Sequence, residues 1–219
     1  NKIDYVEIDP LLLKTINKFS TPLTRKELDS QYVKTHYTDG RIFLNESNDK
    51  YDAVFIGLPP PYTLQVNRFY TQEFFLMTKS VLKENGTLSL SLPGSLAYYN
   101  NELKELNVSI LQTLKSVFHY VFVLTGDFNL LIASTSDNIM NMSPSGIFDS
   151  LTSKNIKTSL ITLPQIEYRF DNRIRDWFFS SIEHTRSLIN KDFSPKGLYY
   201  NISYQNLLFS PSLKPMFDS

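Results

Sequence analysis

The chain has 219 residues, 42% of them hydrophobic, enough for one domain with a real core and a small appendage. Lys plus Arg and Asp plus Glu both number 22, so the formal charge is zero and the basic face of a nucleic-acid binder is not expected. There is no cysteine, which excludes disulfides and thiolate metal sites. His36, His119 and His184 stand far apart in unlike contexts, read as surface or packing residues, and give no metal-ligand spacing. No run reaches the ~20 apolar residues of a spanning helix. The longest candidate, "FHYVFVLTGDFNLLIAS", is interrupted by Gly126, Asp127 and Asn129 and reads as two strands. No signal peptide is expected.

The chain opens at Asn1 inside an expected strand, "KIDYVEI", so a fragment of something longer is the expectation. Asp9 then fits an N-cap and Pro10 the first position of a helix, "LLLKTINKF". "YVKTHY" predicts a second strand, followed by the turn "TDGR" and a short helix through Phe43 and Leu44. "YDAVFIG" predicts a third strand, so apolar that both its faces should be covered. Pro59, Pro60 and Pro61 cannot donate to a ladder, so this strand must stop at Gly57 or Leu58.

A helix is predicted over residues 68–83, with Phe69, Phe74, Met77, Val81 and Leu82 near helical spacing and Gly86 just past its cap. "TLSLSL" alternates and predicts a strand; "NELKELNVSILQTLKSVF" predicts an amphipathic helix. "YVFVLTG" and "FNLLIAST" predict a hairpin around Gly126 and Asp127. Strands alternating with helices imply a parallel sheet with helices on both faces, here with one antiparallel edge. The predicted α/β domain covers residues 1–137. Residues 138–219 read as a linker, "TSDNIMNMSPSG", and a mostly helical segment.

In such sheets ligands bind beyond the carboxyl ends of the strands. Glu7 ends the first visible strand, where a carboxylate can accept from both ribose hydroxyls; the bland alternative is a surface acid. Asp39 could accept from an adenine amino group while Gly40 lets a ligand approach the backbone, although Asp-Gly alone is an ordinary turn. Tyr62 and Tyr70 could bring hydroxyls near the third strand end, with core or rim packing as their alternative. Glu73, the first acid after the prolines, sits where a helical residue faces solvent.

"DYVEIDP", "TDGRIFL", "KYDAVFIGLPPPYTLQVNRFYTQEFF" and "LKENGTLSLSLPGS" resemble, in order and spacing, the spermidine synthase family of aminopropyltransferases, whose fold is the Rossmann-like, doubly wound one of the class I methyltransferases. The resemblance covers residues 2–136, and "LYYNISYQNLLFSPSLKPMF" is similar to that family's C-terminal segment. It implies an S-adenosyl donor substrate, decarboxylated S-adenosylmethionine or S-adenosylmethionine, with no metal. Glu7 would hold the ribose, Ile8 would pack on adenine, Asp39 with Gly40 would bind the adenine edge, and Leu58 would line the donor side. Tyr62 and Tyr70 would face a small-molecule acceptor.

The family carries Asp-x-x-Asp-Pro after the corresponding strand, and the aligned positions here are Gly57 and Pro60, with only Pro61 kept. Losing a positioned base ordinarily costs ~10²–10⁴-fold in rate. The family's glycine-rich loop and first strand would lie upstream of "DYVEIDP", between the "YVEI" and "AVFI" strands of the sheet. "LPPP…NRFYT" with "INKDFSP" most resembles the domains of this type in bacterial polytopic membrane proteins. That implies a soluble domain on the cytoplasmic side of an inner membrane, attached membrane segments, and a homodimer as a further expectation. A transferase, a ligand-binding regulatory module without turnover, and a structural domain without ligand all remain open.

Overall fold

The computed structural model describes residues 2–158 and 160–209. The chain divides at Asp49 and Lys50 into two compact units. In the first, strand β1 (Ile3–Val6) runs parallel to β2 (Val33–His36), with Val6 opposite His36. The Glu7 N–H donates to the His36 carbonyl at 2.9 Å and extends the ladder one step past the strand. Alternation along β1 leaves Ile3 exposed and turns the Asp4 carboxylate inward, to His36 Nε2 at 2.7 Å and Lys2 Nζ at 3.2 Å. Burial pushes the Asp4 carboxyl up, but the hydrogen bonds from His36 and Lys2 outweigh it and hold it below the usual carboxylate range.

Helix α1 (Pro10–Lys18) begins as its sequence predicts: Asp9 accepts from the Leu11 N–H at 2.8 Å and Pro10 takes the first turn. Helix α2 (Pro22–Leu28) is an addition to the expected elements. Its signal is Thr21 before Pro22, with Thr21 and Thr24 capping each other reciprocally. Helix α3 (Gly40–Glu46) completes this unit.

In the second unit the sheet order is β3 (Tyr51–Ile56), β4 (Leu82–Pro93), β6 (Phe128–Ser134), β5 (Tyr120–Leu124). β3 and β4 are parallel, whereas β6 is antiparallel to both neighbours, which gives the expected antiparallel edge. Leu88, Leu90 and Leu92 are fully buried between half-buried serines, as the alternation requires. Helices α4 (Leu64–Asn67), α5 (Gln72–Val81) and α6 (Asn101–Lys115) lie between the strands in sequence; α6 buries Leu103, Leu106, Ile110 and Leu114 at helical spacing. After β6 come a 3₁₀ turn (Asp137–Asn141), α7 (Pro144–Ser153), α8 (Leu163–Arg169), α9 (Asn172–Ile182) and α10 (Lys196–Phe209).

Four expectations change. The helix predicted over residues 68–83 is interrupted: Thr71 caps α5, and the chain turns from α4 through Phe69 and Tyr70 before it. β4 then starts at Leu82, so Gly86 is no helix cap but a strand residue. A Cβ there would meet the Tyr51 carbonyl oxygen at 2.9 Å and backbone atoms of Lys83 at 3.0 Å. β3 is not covered on both faces: Ala53 and Phe55 on one side of the strand are exposed, Phe55 at 69%. The predicted linker is folded into the 3₁₀ turn and α7, with Ile139 buried. The final part of the family-like C-terminal segment, from residue 210 onward, lies outside the described residues. Among the described residues no helix is long and apolar enough to cross a membrane.

Candidate functional site

The parallel pairing of β1 and β2 brings Glu7 and Asp39 to the same carboxyl edge of the first unit. Glu7 is half-buried directly after β1, and its Oε1 accepts from the Asp9 N–H at 2.9 Å. That bond uses one lone pair of one oxygen, so the carboxylate keeps capacity for paired hydroxyls. Ile8, next in sequence, is 67% exposed, an apolar surface beside a carboxylate. Asp39 is the N-cap of α3, with its Oδ1 at 2.9 Å from the Arg41 nitrogen and 3.4 Å from the Ile42 nitrogen. Gly40 is the first residue of that helix. Each acid is held by amides two or three residues away, which fixes its direction before any ligand arrives.

In the second unit, β3 ends at Ile56 and releases Gly57, Leu58 and the three prolines at the carboxyl edge, as the prolines required. A Cβ added at Gly57 would touch only the exposed Phe55 ring, at 3.2 Å. Tyr62 is half exposed, and its N–H donates to the Pro60 carbonyl at 2.7 Å. Tyr70 sits differently from its expected acceptor-facing role. It is fully buried, and its hydroxyl reaches the carbonyls of Leu58 at 3.0 Å and Pro59 at 2.9 Å. Burial pushes the Tyr70 phenol far up, so it remains a proton donor.

Glu73 does not face solvent either; its Oε2 accepts from the Asp192 N–H at 3.1 Å. Asp192 in turn accepts from the Thr71 hydroxyl at 2.8 Å. Beside them Asn190, fully buried, donates from Nδ2 to the Asn67 side chain and to the Tyr70 carbonyl, both at 3.0 Å. Sequence reasoning noticed "INKDFSP" only as a resemblance and assigned Asn190, Asp192, Asn67 and Thr113 no role. Thr113 had a readable signal, a polar residue at a buried position of an amphipathic helix. Among the described residues, no group of three His, Cys, Asp or Glu side chains could hold a metal ion.

The fold and these strand ends define a class first: Rossmann-like, doubly wound domains of the class I methyltransferase type. The chain is similar to a spermidine synthase solved in complex with the transition-state analogue AdoDATO, with a TM-score of 0.66 and 17% identity over 83% of this chain and 61% of that one. It is also similar to human methyltransferase-like protein 13 solved in complex with SAH, with a TM-score of 0.54 and 21% identity over 74% of each chain. The family follows from sequence. Residues 1–142 match the spermine/spermidine synthase domain, and the chain belongs to that family. A polyamine aminopropyltransferase of Prochlorococcus marinus (strain MIT 9312) is 28% identical over 149 residues, 68% of this chain and 46% of that protein. The chain spans less than half the length of the curated relatives it matches.

Proposed function

We propose that this chain belongs to a transferase that moves an aminopropyl or a methyl group from an S-adenosyl donor to a small acceptor. The observation that carries the reading is the pair of oriented carboxylates, Glu7 and Asp39, on one strand edge of a fold whose solved neighbours hold AdoDATO and SAH. Glu7 would take the two ribose hydroxyls, Ile8 one adenine face, and Asp39 with Gly40 the adenine edge. Leu58 would line the donor side and Tyr62 would face the acceptor.

In aminopropyl transfer the acceptor's lone pair attacks the carbon beside the sulfonium. The carbon–sulfur bond breaks, its electrons return to sulfur, and methylthioadenosine leaves uncharged. In methyl transfer the same displacement releases S-adenosylhomocysteine. The donor supplies the leaving group, so the protein's task is to hold the nucleophile in line. Residues 57–61 offer neither a base nor a counter-charge. A diammonium acceptor would find no carboxylate in this turn, which favours an acceptor that is neutral when it binds.

A second reading is favoured by the turn itself: residues 57–61 carry no acid, and Glu73, the next acid along the chain, already accepts from the Asp192 amide. The domain would then hold the adenosyl ligand without turnover and pass binding to an attached segment, the membrane segments and the cytoplasmic face being part of this proposal. Calorimetric titration with methylthioadenosine, S-adenosylmethionine and decarboxylated S-adenosylmethionine tests the donor site. Binding that weakens at least tenfold in Glu7→Gln supports it. Absence of binding by the folded full-length protein sinks both readings. Among binders, product formation in an acceptor screen separates transferase from sensor.

A further inference from the structure

We propose that Asn190 and Tyr70 are positioning residues, forming a buried relay that sets the backbone of the acceptor-side turn, residues 57–61. The proposal rests on the transferase reading for its catalytic meaning, and on hydrogen bonds for the relay itself.

The turn cannot hold itself. With proline at 59, 60 and 61, those positions bring carbonyl oxygens but no N–H, and the Tyr62-to-Pro60 bond is the backbone bond that closes it. A donor for the Leu58 and Pro59 carbonyls has to come from elsewhere, and Tyr70 supplies it by sharing one hydroxyl proton between them. The hydroxyl lands correctly only if the Tyr70 backbone is fixed. Tyr70 lies between α4 and α5, outside either helix, where its N–H reaches back to Asn67 at 2.8 Å.

Asn190 fixes the other side of that link. Its Nδ2 donates to the Tyr70 carbonyl and to Asn67 Oδ1, and its Oδ1 accepts from the Gly197 N–H at 2.9 Å. Its own N–H donates to the Thr113 hydroxyl at 2.9 Å, and its carbonyl accepts from the Gln72 N–H at 2.9 Å. The residue therefore ties α4, the Tyr70 link, α5, α6 and α10 at one point. The segment is made rigid nearby: Lys191 and Ser194 exchange backbone bonds at 3.1 Å, and Asp192 is held by Thr71 and Glu73. A Cβ at Gly197 would press on Asn190 Nδ2 and Ile110 Cδ1 at 3.0 Å, so glycine there permits the approach.

A purely structural polar plug would tie helices together and stop there. This one continues through Tyr70 to two carbonyls in the turn that stands where the family places its acceptor-binding acids. Side-chain acids have been replaced by a shaped backbone, and a shaped backbone needs an external fix.

Tyr70→Phe removes one oxygen and keeps the ring. Two readouts decide the matter. Amide hydrogen exchange should rise about tenfold at Tyr62, whose N–H closes the turn, while Leu88 to Leu92 of β4 remain unchanged. In steady-state assays with decarboxylated S-adenosylmethionine and an amine acceptor, acceptor KM should rise several-fold with donor KM constant. Asn190→Ser, a milder change than alanine, should show the same selective exchange. Uniform acceleration across the turn and β4, or none at the turn, overturns the relay. Equal loss toward donor and acceptor overturns its positioning role. If the full-length protein binds no nucleoside, the transferase reading falls on that result, while exchange still judges the relay.

Discussion

The two carboxyl edges, β1 and β2 in the first unit and β3 in the second, solve the same problem by opposite means. At Glu7 and Asp39 the edge presents charged side chains, and each is aimed by amides a few residues along the chain. At residues 57–61 no side chain carries charge, and the backbone is held by Tyr70 and, through it, by a residue 120 positions further on. The difference teaches where each edge is vulnerable. Damage at the first should be chemical and local; damage at the second should travel from the core.

The largest expected effect is therefore remote. Asn190→Ala leaves the Gly197 N–H, Asn67 Oδ1 and the Tyr70 carbonyl each short of a buried partner. At about 1–3 kcal/mol per unsatisfied group, with partial relaxation, a loss of about 4 kcal/mol is expected in urea unfolding. A loss below about 1 kcal/mol would mean that water replaces the amide and that the two edges are less different than drawn.

Adding acids to the turn comes next. Gly57→Asp with Pro60→Asp should fold, because a Cβ at Gly57 meets only a movable exposed ring. Turnover with a diamine acceptor should rise up to ~10²-fold, measured as methylthioadenosine released. No gain would show that the turn's backbone shape, rather than its missing charge, excludes diamines.

On the first edge, Glu7→Gln should weaken donor binding ~10–100-fold, the worth of a charge-assisted pair, with thermal stability nearly unchanged. Asp39 separates cap from ligand. Asp39→Asn keeps a capping side chain and should cost a few tenths of a kcal/mol, whereas Asp39→Ala should cost about 1 kcal/mol. If both weaken donor binding equally, the carboxylate itself matters.

The smallest effect concerns Asp4, whose folded-state carboxyl lies below its ordinary 3.8. A depressed carboxyl contributes stability above its unfolded value and loses it as pH falls through the folded one. The stability gap between the native chain and Asp4→Asn should therefore stand above pH 3.8 and close as the pH falls below it, as read from urea midpoints.

The sequence alone determined what depends on neighbours along the chain. Asp9 before Pro10, the alternation from Leu88 to Leu92, the hairpin around Gly126 and the stop imposed by three prolines are all local steric or hydrogen-bonding rules. The order of its motifs named the family. Tertiary structure decided what depends on distant partners. Leu82 and Lys83 fall at the end of the predicted helix, but β4 claims them because Leu82 pairs with Tyr51 of β3, and Gly86 passes the Tyr51 carbonyl too closely for any Cβ. Tyr70 has the same side chain whether it faces an acceptor or a core. Only the arrival of Asn190 on its carbonyl and of two turn carbonyls on its hydroxyl turned it inward, because buried polar groups must be paired and these had no closer partners.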